Sequence, residues 1–238
     1  MEFVEYVNVE NAKYFINLTN DRIMAEMYDP LEADQNGFKI KDIDGYIDRI
    51  KKYCKRAIFN KGKVSQKYYY SKKLNNKGRL FVRGFGLQSI QNDIRGFLID
   101  KDYCDYDMVN AAPSILQYLI KEFLPHKNYP NLNNYITNRN KILNEYGITK
   151  LDVIICLFSD KSTKHTDYFL QNLDKEFKNI QEEFWKLNIH PEIKDISKYN
   201  KKASFLCYVL HIWENKILQE CRANLNMAVP MFDGFLSN

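Results

Sequence analysis

Glycine and proline are scarce in this chain, nine and six among 238 residues. That scarcity excludes collagen-like, linker-like and low-complexity architectures, which need one or both in quantity. Histidine (four) and cysteine (five) are also few, and no CxxC pair occurs. Neither a zinc module nor a disulfide scaffold is expected from such a set. The thiols of Cys54, Cys104, Cys156, Cys207 and Cys221 are scattered and odd in number. They read as reduced, as in a cytoplasmic compartment. No run of about 18 apolar residues exists, so no membrane span is expected. The opening MEFVEYVNVEN is acidic and lacks the apolar stretch of a signal peptide. Neither sign of charge dominates: 35 Lys and Arg stand against 30 Asp and Glu, a net +5. That balance permits a nucleic-acid partner without demanding one.

What the chain has in quantity is apolar and aromatic mass. Hydrophobic residues make up 45%, and seventeen Tyr and fifteen Phe raise the aromatic share to 14%. Such a composition argues for a folded chain with a substantial core, in one large domain or two small ones. No internal repeat and no long linker is apparent. Residues 1–66 read as a helical, charge-rich N-terminal region. Within it IDGYIDRIKKYCKRAIF (43–59) sets Ile43, Ile47, Ile50, Tyr53 and Ile58 at helical spacing. Its basic tail, from Lys51 to Lys63, suits either a phosphate backbone or plain solvent. Residues 67–110 change character: KYYY, RLFVRGF and YCDYDMV are short, aromatic and apolar, with turn signals such as NNKG between them. Strands are expected there. From Pro113 to about Tyr199 the pattern is helical, with Phe169, Leu173, Phe177, Ile180, Phe184 and Leu187 on one stripe. A further long helix and the segment VPMFDGFLSN follow.

Acidic residues are depleted in strands, so Asp105 and Asp107, alternating with Tyr106 in DYCDYDMV, require a reason. The helical excursion starts after that acidic strand and returns to another segment carrying Asp233. It could therefore bring Asp107 and Asp233 together on neighbouring strands. Two such carboxylates repel and are costly to desolvate unless a divalent cation sits between them. An all-oxygen ligand set means magnesium or calcium. The plainer alternatives are a solvated edge for Asp107 and an Asp-Gly hairpin turn for Asp233.

Several stretches together resemble family A DNA polymerases. KGRLFVRGFGLQSIQNDIRGFL (77–98) is similar to the family segment TGRLSS, NLQNIP, then IR and F. In it Arg79 and Arg95 are fit to hold phosphates, and Gln88 offers an amide to a minor-groove or sugar edge. DMVNAAPSI (107–115) resembles motif A, which makes Asp107 a metal ligand and Asp105 either a helper carboxylate or polar trim. Motif B, a fingers helix carrying Arg, then Lys, then an aromatic, has Arg139, Lys150 and Phe158 as candidates, with looser spacing than the family's. Lys141 competes for the same role. The segment 202–237 resembles the long palm helix leading into motif C, with Phe232, Asp233 and Gly234 where the family has His-Asp-Glu. The best fit is the divergent transposon-virus polymerase group, related also to phage-type single-subunit RNA polymerases.

The resemblance implies an α+β fold, a right-hand palm with a small antiparallel sheet backed by helices and a helical fingers insertion. The implied division is 1–66 as a thumb-like remnant or preface, 67–115 and 196–238 as palm, and 116–195 as fingers. The second palm segment is cut short, five residues after Asp233. The implied activity is template-directed nucleotidyl transfer with two Mg2+ ions, for which Mn2+ may substitute, on a primed DNA or RNA template with nucleoside triphosphates. Asp107, Asp233 and Lys150 would be catalytic, with Arg139, Lys150 and Phe158 on the nucleotide. Ala112 stands where DNA polymerases place a bulky sugar-gating residue, so ribonucleotide use or priming comes within reach, unless Phe158 or Tyr146 supplies the wall. A helicase or primase module is an implied partner, and a viral or mobile-element source would put the chain in a nucleus or viral factory. Two other readings stay open. One is a catalytically incomplete palm that binds nucleic acid or a helicase partner; the other is an α+β domain whose carboxylates lie apart.

Overall fold

A computed structural model describes residues 1–27, 42–71, 74, 76–99, 101–162, 167–223, 225 and 229–237. The fold is α+β, with two small antiparallel sheets and nine α-helices among the described residues. The chain divides into two compact units. The first gathers Met1–Tyr70, Leu80–Asp107 and Leu218–Asn238, and the second Ser71–Arg79 and Met108–Ile217.

In the first unit β1 (Glu2–Tyr6), β2 (Lys63–Tyr70) and β3 (Leu80–Val82) form one antiparallel sheet in that order. A second sheet sets β6 (Gly234–Ser237) between β4 (Cys104–Asp107) and β5 (Val229–Pro230), again antiparallel. Helices α1 (Val9–Asn17), α2 (Asn20–Met27), α3 (Ile43–Phe59) and α4 (Asn92–Leu98) belong to the same unit. Helix α3 follows the spacing read from the sequence. The Asp42 carboxylate accepts from the Gly45 amide at 2.9 Å and starts it. Ile47, Ile50, Tyr53, Cys54 and Ala57 form its buried face, and a fully buried Ile stabilises by about 1.5–3 kcal/mol. Phe15, Leu87, Ile94 and Leu98 complete that core.

The N-terminal stretch departs from its all-helical expectation. β1 pairs with β2 from Glu2↔Lys67 to Tyr6↔Lys63, so the first strand joins the same unit as the strands 67–110. Its alternation is inverted: Val4 and Tyr6 share the outer face while Glu5 points inward with no exposure. A strand that buries a glutamate does not show the apolar period-two pattern by which strands are read.

The second unit is helical, as the sequence indicates: α5 (Ala111–Phe123), α6 (Pro130–Tyr146), α7 (Lys150–Leu157) and α8 (Tyr168–Lys186). Its core holds Leu116, Tyr135, Phe177, Phe184 and Phe205. The long α9 (Lys201–Ala223) contributes to this core and passes into the first unit at Leu218. Among the described residues no helix is long and apolar enough to cross a membrane.

Candidate functional site: a carboxylate pair on the β4–β6 ladder

Asp107 ends β4, and its register partner on β6 is Gly234. The β5–β6 hairpin turns through Phe232 and Asp233, closed by the Met231 amide donating to the Gly234 carbonyl at 3.0 Å. Asp233 is therefore a turn residue, as the Asp-Gly reading has it, and also the neighbour of the residue that faces Asp107. Gly234 makes this approach possible. A Cβ there would lie 2.1 Å from the Tyr106 carbonyl oxygen and 2.9 Å from Asp107 Oδ1. On the other face of the ladder the Tyr106 and Phe235 rings stack at 5.2 Å. Gly234 was read from the sequence only as part of the motif C triplet and of an Asp-Gly turn, not as the point of close approach, and this ring pair was not singled out.

Three expected nucleic-acid contacts are committed internally. The Gln88 amide accepts from the Val82 N–H at 2.8 Å and donates to the Leu80 carbonyl at 2.9 Å. It braces β3 from a buried position, whereas the sequence reading set it toward a minor-groove or sugar edge. Arg95 donates to Asp105 and Asn92 at 2.8 and 2.9 Å and to the Ile90 carbonyl at 3.2 Å. That ion pair engages Asp105 as well, which suits polar trim better than a metal ligand. Arg79, in the second unit, grips Glu214 with a two-pronged fork whose Nη2 reaches Oε2 at 2.8 Å. Its phosphate role gives way to an ion pair with a buried carboxylate.

Ala112, Arg139, Lys150 and Phe158 also belong to the second unit. The single fingers helix expected to carry Arg, Lys and aromatic is two helices. Gly147, at φ 60°, ends α6, and a capping box between Thr149 and Asp152 starts α7. Arg139 thus lies on α6 against the buried Tyr135 hydroxyl, whereas Lys150 opens α7 exposed and Phe158 closes it. Tyr146 stacks on Phe169 at 5.2 Å. Ala112, in the first turn of α5, packs against the core of the second unit.

One more cluster in the second unit carries reactive residue types. Cys207 Sγ lies 3.7 Å from His211 Nε2. Burial pushes the thiol up to about 11 and the imidazole down to about 3, the latter helped by Arg79. Both groups are neutral at physiological pH, so this is no activated thiolate.

Among the described residues no group of three or more His, Cys, Asp or Glu side chains could hold a metal. The two acids read as ligands are Asp107, at the end of the β4–β6 ladder, and Asp233, in the turn before Gly234. Two carboxylates would be too few for a dedicated calcium cage; magnesium, which takes one or two and completes its shell with water and phosphate, is the cation such a pair would suit.

No family model and no solved structure matches the chain. Along its full length it is 27% identical to a protein of the Sputnik virophage named "Putative helicase V13". The chain spans about a third (32%) of that protein's length. This finding corrects the expectation of a template-directed nucleotidyltransferase: the similarity covering the whole chain leads to a protein named as a helicase, not as a polymerase.

Proposed function

We propose that this chain is a nucleic-acid-binding region of a helicase-type viral protein, with magnesium held by Asp107 and Asp233 against nucleic-acid phosphate. The observation that carries the reading is the β4–β6 register, which sets Asp107 opposite Gly234 and beside Asp233. The full-length similarity to a helicase-named virophage protein supports the setting. The 238 residues contain no G-x-x-x-x-G-K-[ST] phosphate-binding run. The ATP-driven step of a helicase is accordingly assigned to no residue of this chain, whose part is to hold nucleic acid. The finer architecture is read as palm-like, because Asp107 lies on an antiparallel ladder, Asp233 lies in the turn that leads into its other strand, and a helical excursion separates the two in sequence.

Magnesium would screen the mutual repulsion of the two carboxylates and bridge them to a phosphate that they would otherwise repel. Fluorescence anisotropy of labelled oligonucleotides, in magnesium and in EDTA, tests this. Wild-type protein is expected to bind about tenfold more tightly with magnesium, equivalent to about 1.4 kcal/mol. Asp107→Asn and Asp233→Asn should each remove that gain while leaving the melting temperature unchanged or raised. Magnesium-indifferent binding by the wild type would refute the cation site.

A further inference from the structure

The outer face of the β1-β2-β3 sheet carries a pattern that the carboxylate pair does not use. β2 alternates strictly: Val64, Gln66 and Tyr68 are buried, while Lys63, Ser65, Lys67 and Tyr69 are exposed. Register sets Phe81 of β3 opposite Tyr69, with ring centroids 6.2 Å apart. The ladder continues past the end of β3, because the Arg83 amide donates to the Lys67 carbonyl at 2.7 Å. Residues opposite one another share a face, so Arg83 flanks Lys67 there. Phe81 in turn meets the Phe232 ring at 6.1 Å, and Phe232 precedes Asp233. All of these residues lie in the first unit.

Three rings therefore run in a row toward Asp233, with Lys67 and Arg83 beside them, Lys63 farther along β2 over the Tyr6 ring at 5.7 Å, and no acid on either β2 or β3. Glu2, across from Lys67 on β1, accepts the Ser65 hydroxyl. Tyr69 leaves about half its surface, 52%, in solvent. An exposed ring with two half-buried rings beside it and cations alongside matches unpaired bases, whose faces are open, and phosphates spaced along one strand. A duplex offers phosphates alone, since its base faces are already stacked on one another.

The geometry points to this face as a base-stacking platform for single-stranded nucleic acid. Tyr69 and Phe81 take base faces, Lys63, Lys67 and Arg83 take phosphates, and Phe232 leads the strand toward Asp233. The inference rests on the nucleic-acid reading above and names single strands as the substrate class.

The test is fluorescence anisotropy with a fluorescein-labelled oligothymidylate and with a labelled duplex. Tyr69→Ala and Phe81→Ala are each expected to weaken single-strand binding about tenfold, and Tyr69→Phe to preserve it. Lys67→Ala and Arg83→Ala should each reduce the salt slope of log K by about 0.7, the value for one single-strand phosphate contact. Thermal melts confirm folding, and the exposed Tyr69 serves alone if the Phe81 variant melts early. Wild-type binding that survives both ring variants, or that favours the duplex, overturns the platform and leaves the nucleic-acid reading standing. Wild-type protein that binds neither probe overturns that reading itself.

Discussion

Replacing Glu5 by Ala should be among the most damaging single changes in the first unit. Its carboxylate has no exposure and accepts from the Tyr53 hydroxyl at 2.6 Å, the Tyr68 hydroxyl at 2.7 Å and the Leu87 amide at 3.2 Å. Gly86 lies against it: a Cβ there would come 2.6 Å from Oε1. Truncation leaves three donors in a site sealed from water. Each stranded donor costs about 1–3 kcal/mol, so a loss of about 3–9 kcal/mol is expected, a large part of the ~5–15 kcal/mol typical of a whole domain. Glu5→Gln, which keeps the shape and one acceptor, should cost about 1–2 kcal/mol at neutral pH. The pH dependence has a definite sign. Burial raises the Glu5 carboxyl above its ordinary value of 4.5, against the opposing pull of Tyr53 and Tyr68. Between the unfolded and folded values the native state then holds more protons, so stability from this group is full below 4.5 and lost as pH rises through the folded value. The advantage of wild type over Glu5→Gln should widen as pH falls toward 4.5, by about 1.4 kcal/mol per unit of elevation. Urea unfolding at several pH values reads this directly. A Glu5→Ala protein within about 0.5 kcal/mol of wild type, the range of ordinary surface changes, would refute the reasoning. So would a Glu5→Gln difference that narrows on acidification.

Gly234→Ala should force β4 and β6 apart at the Tyr106 carbonyl, costing about 1–3 kcal/mol and lowering the melting temperature by about 2–4 °C per kcal/mol. It should also abolish the magnesium effect on binding, which an unchanged response would contradict. Arg79→Ala removes the fork from Glu214, whose side chain is 2% exposed, and should cost about 3 kcal/mol or more. Adding Glu214→Gln should restore part of that loss in denaturant melts.

The helices were legible because period signals survive in them: Ile47, Ile50 and Tyr53 of α3, and Phe169, Leu173, Phe177, Ile180 and Phe184 of α8, are buried on the stripe read from sequence, although Tyr46, Cys54, Leu170 and Gln181 are buried as well. The strand β1 was not, because its inward position is Glu5. The pairing of the two segments was legible, since a strand, an excursion and a return constrain which strands meet, and β4 does pair with β6. The polar contacts were less so. Gln88, Arg79 and Arg95 read as ligand-seeking groups, and the fold spends each on a carbonyl or carboxylate of its own. Residue type tells what a side chain can bond, and only the fold tells which way it faces. The outer face of β2 shows the converse. Lys63, Lys67 and Tyr69 lie on its period-two register in plain view, yet the stretch reads as unremarkable until Phe81 and Phe232 come beside it.

The first unit is written in three separated pieces, with Met108–Ile217 between the second and the third. A ribosome making this chain would finish β4 long before β6, its pairing partner, leaves the exit tunnel. The second unit's contiguous helices could by then be fully formed, since local contacts form fast and distant strand pairing forms late. Until residues 234–237 emerge, β4 stands with an open edge, and Asp107 faces no Gly234. Closing the β4–β6 ladder is thus a late step in folding of the first unit, and Asp107 lies opposite Gly234 only in molecules that have taken it.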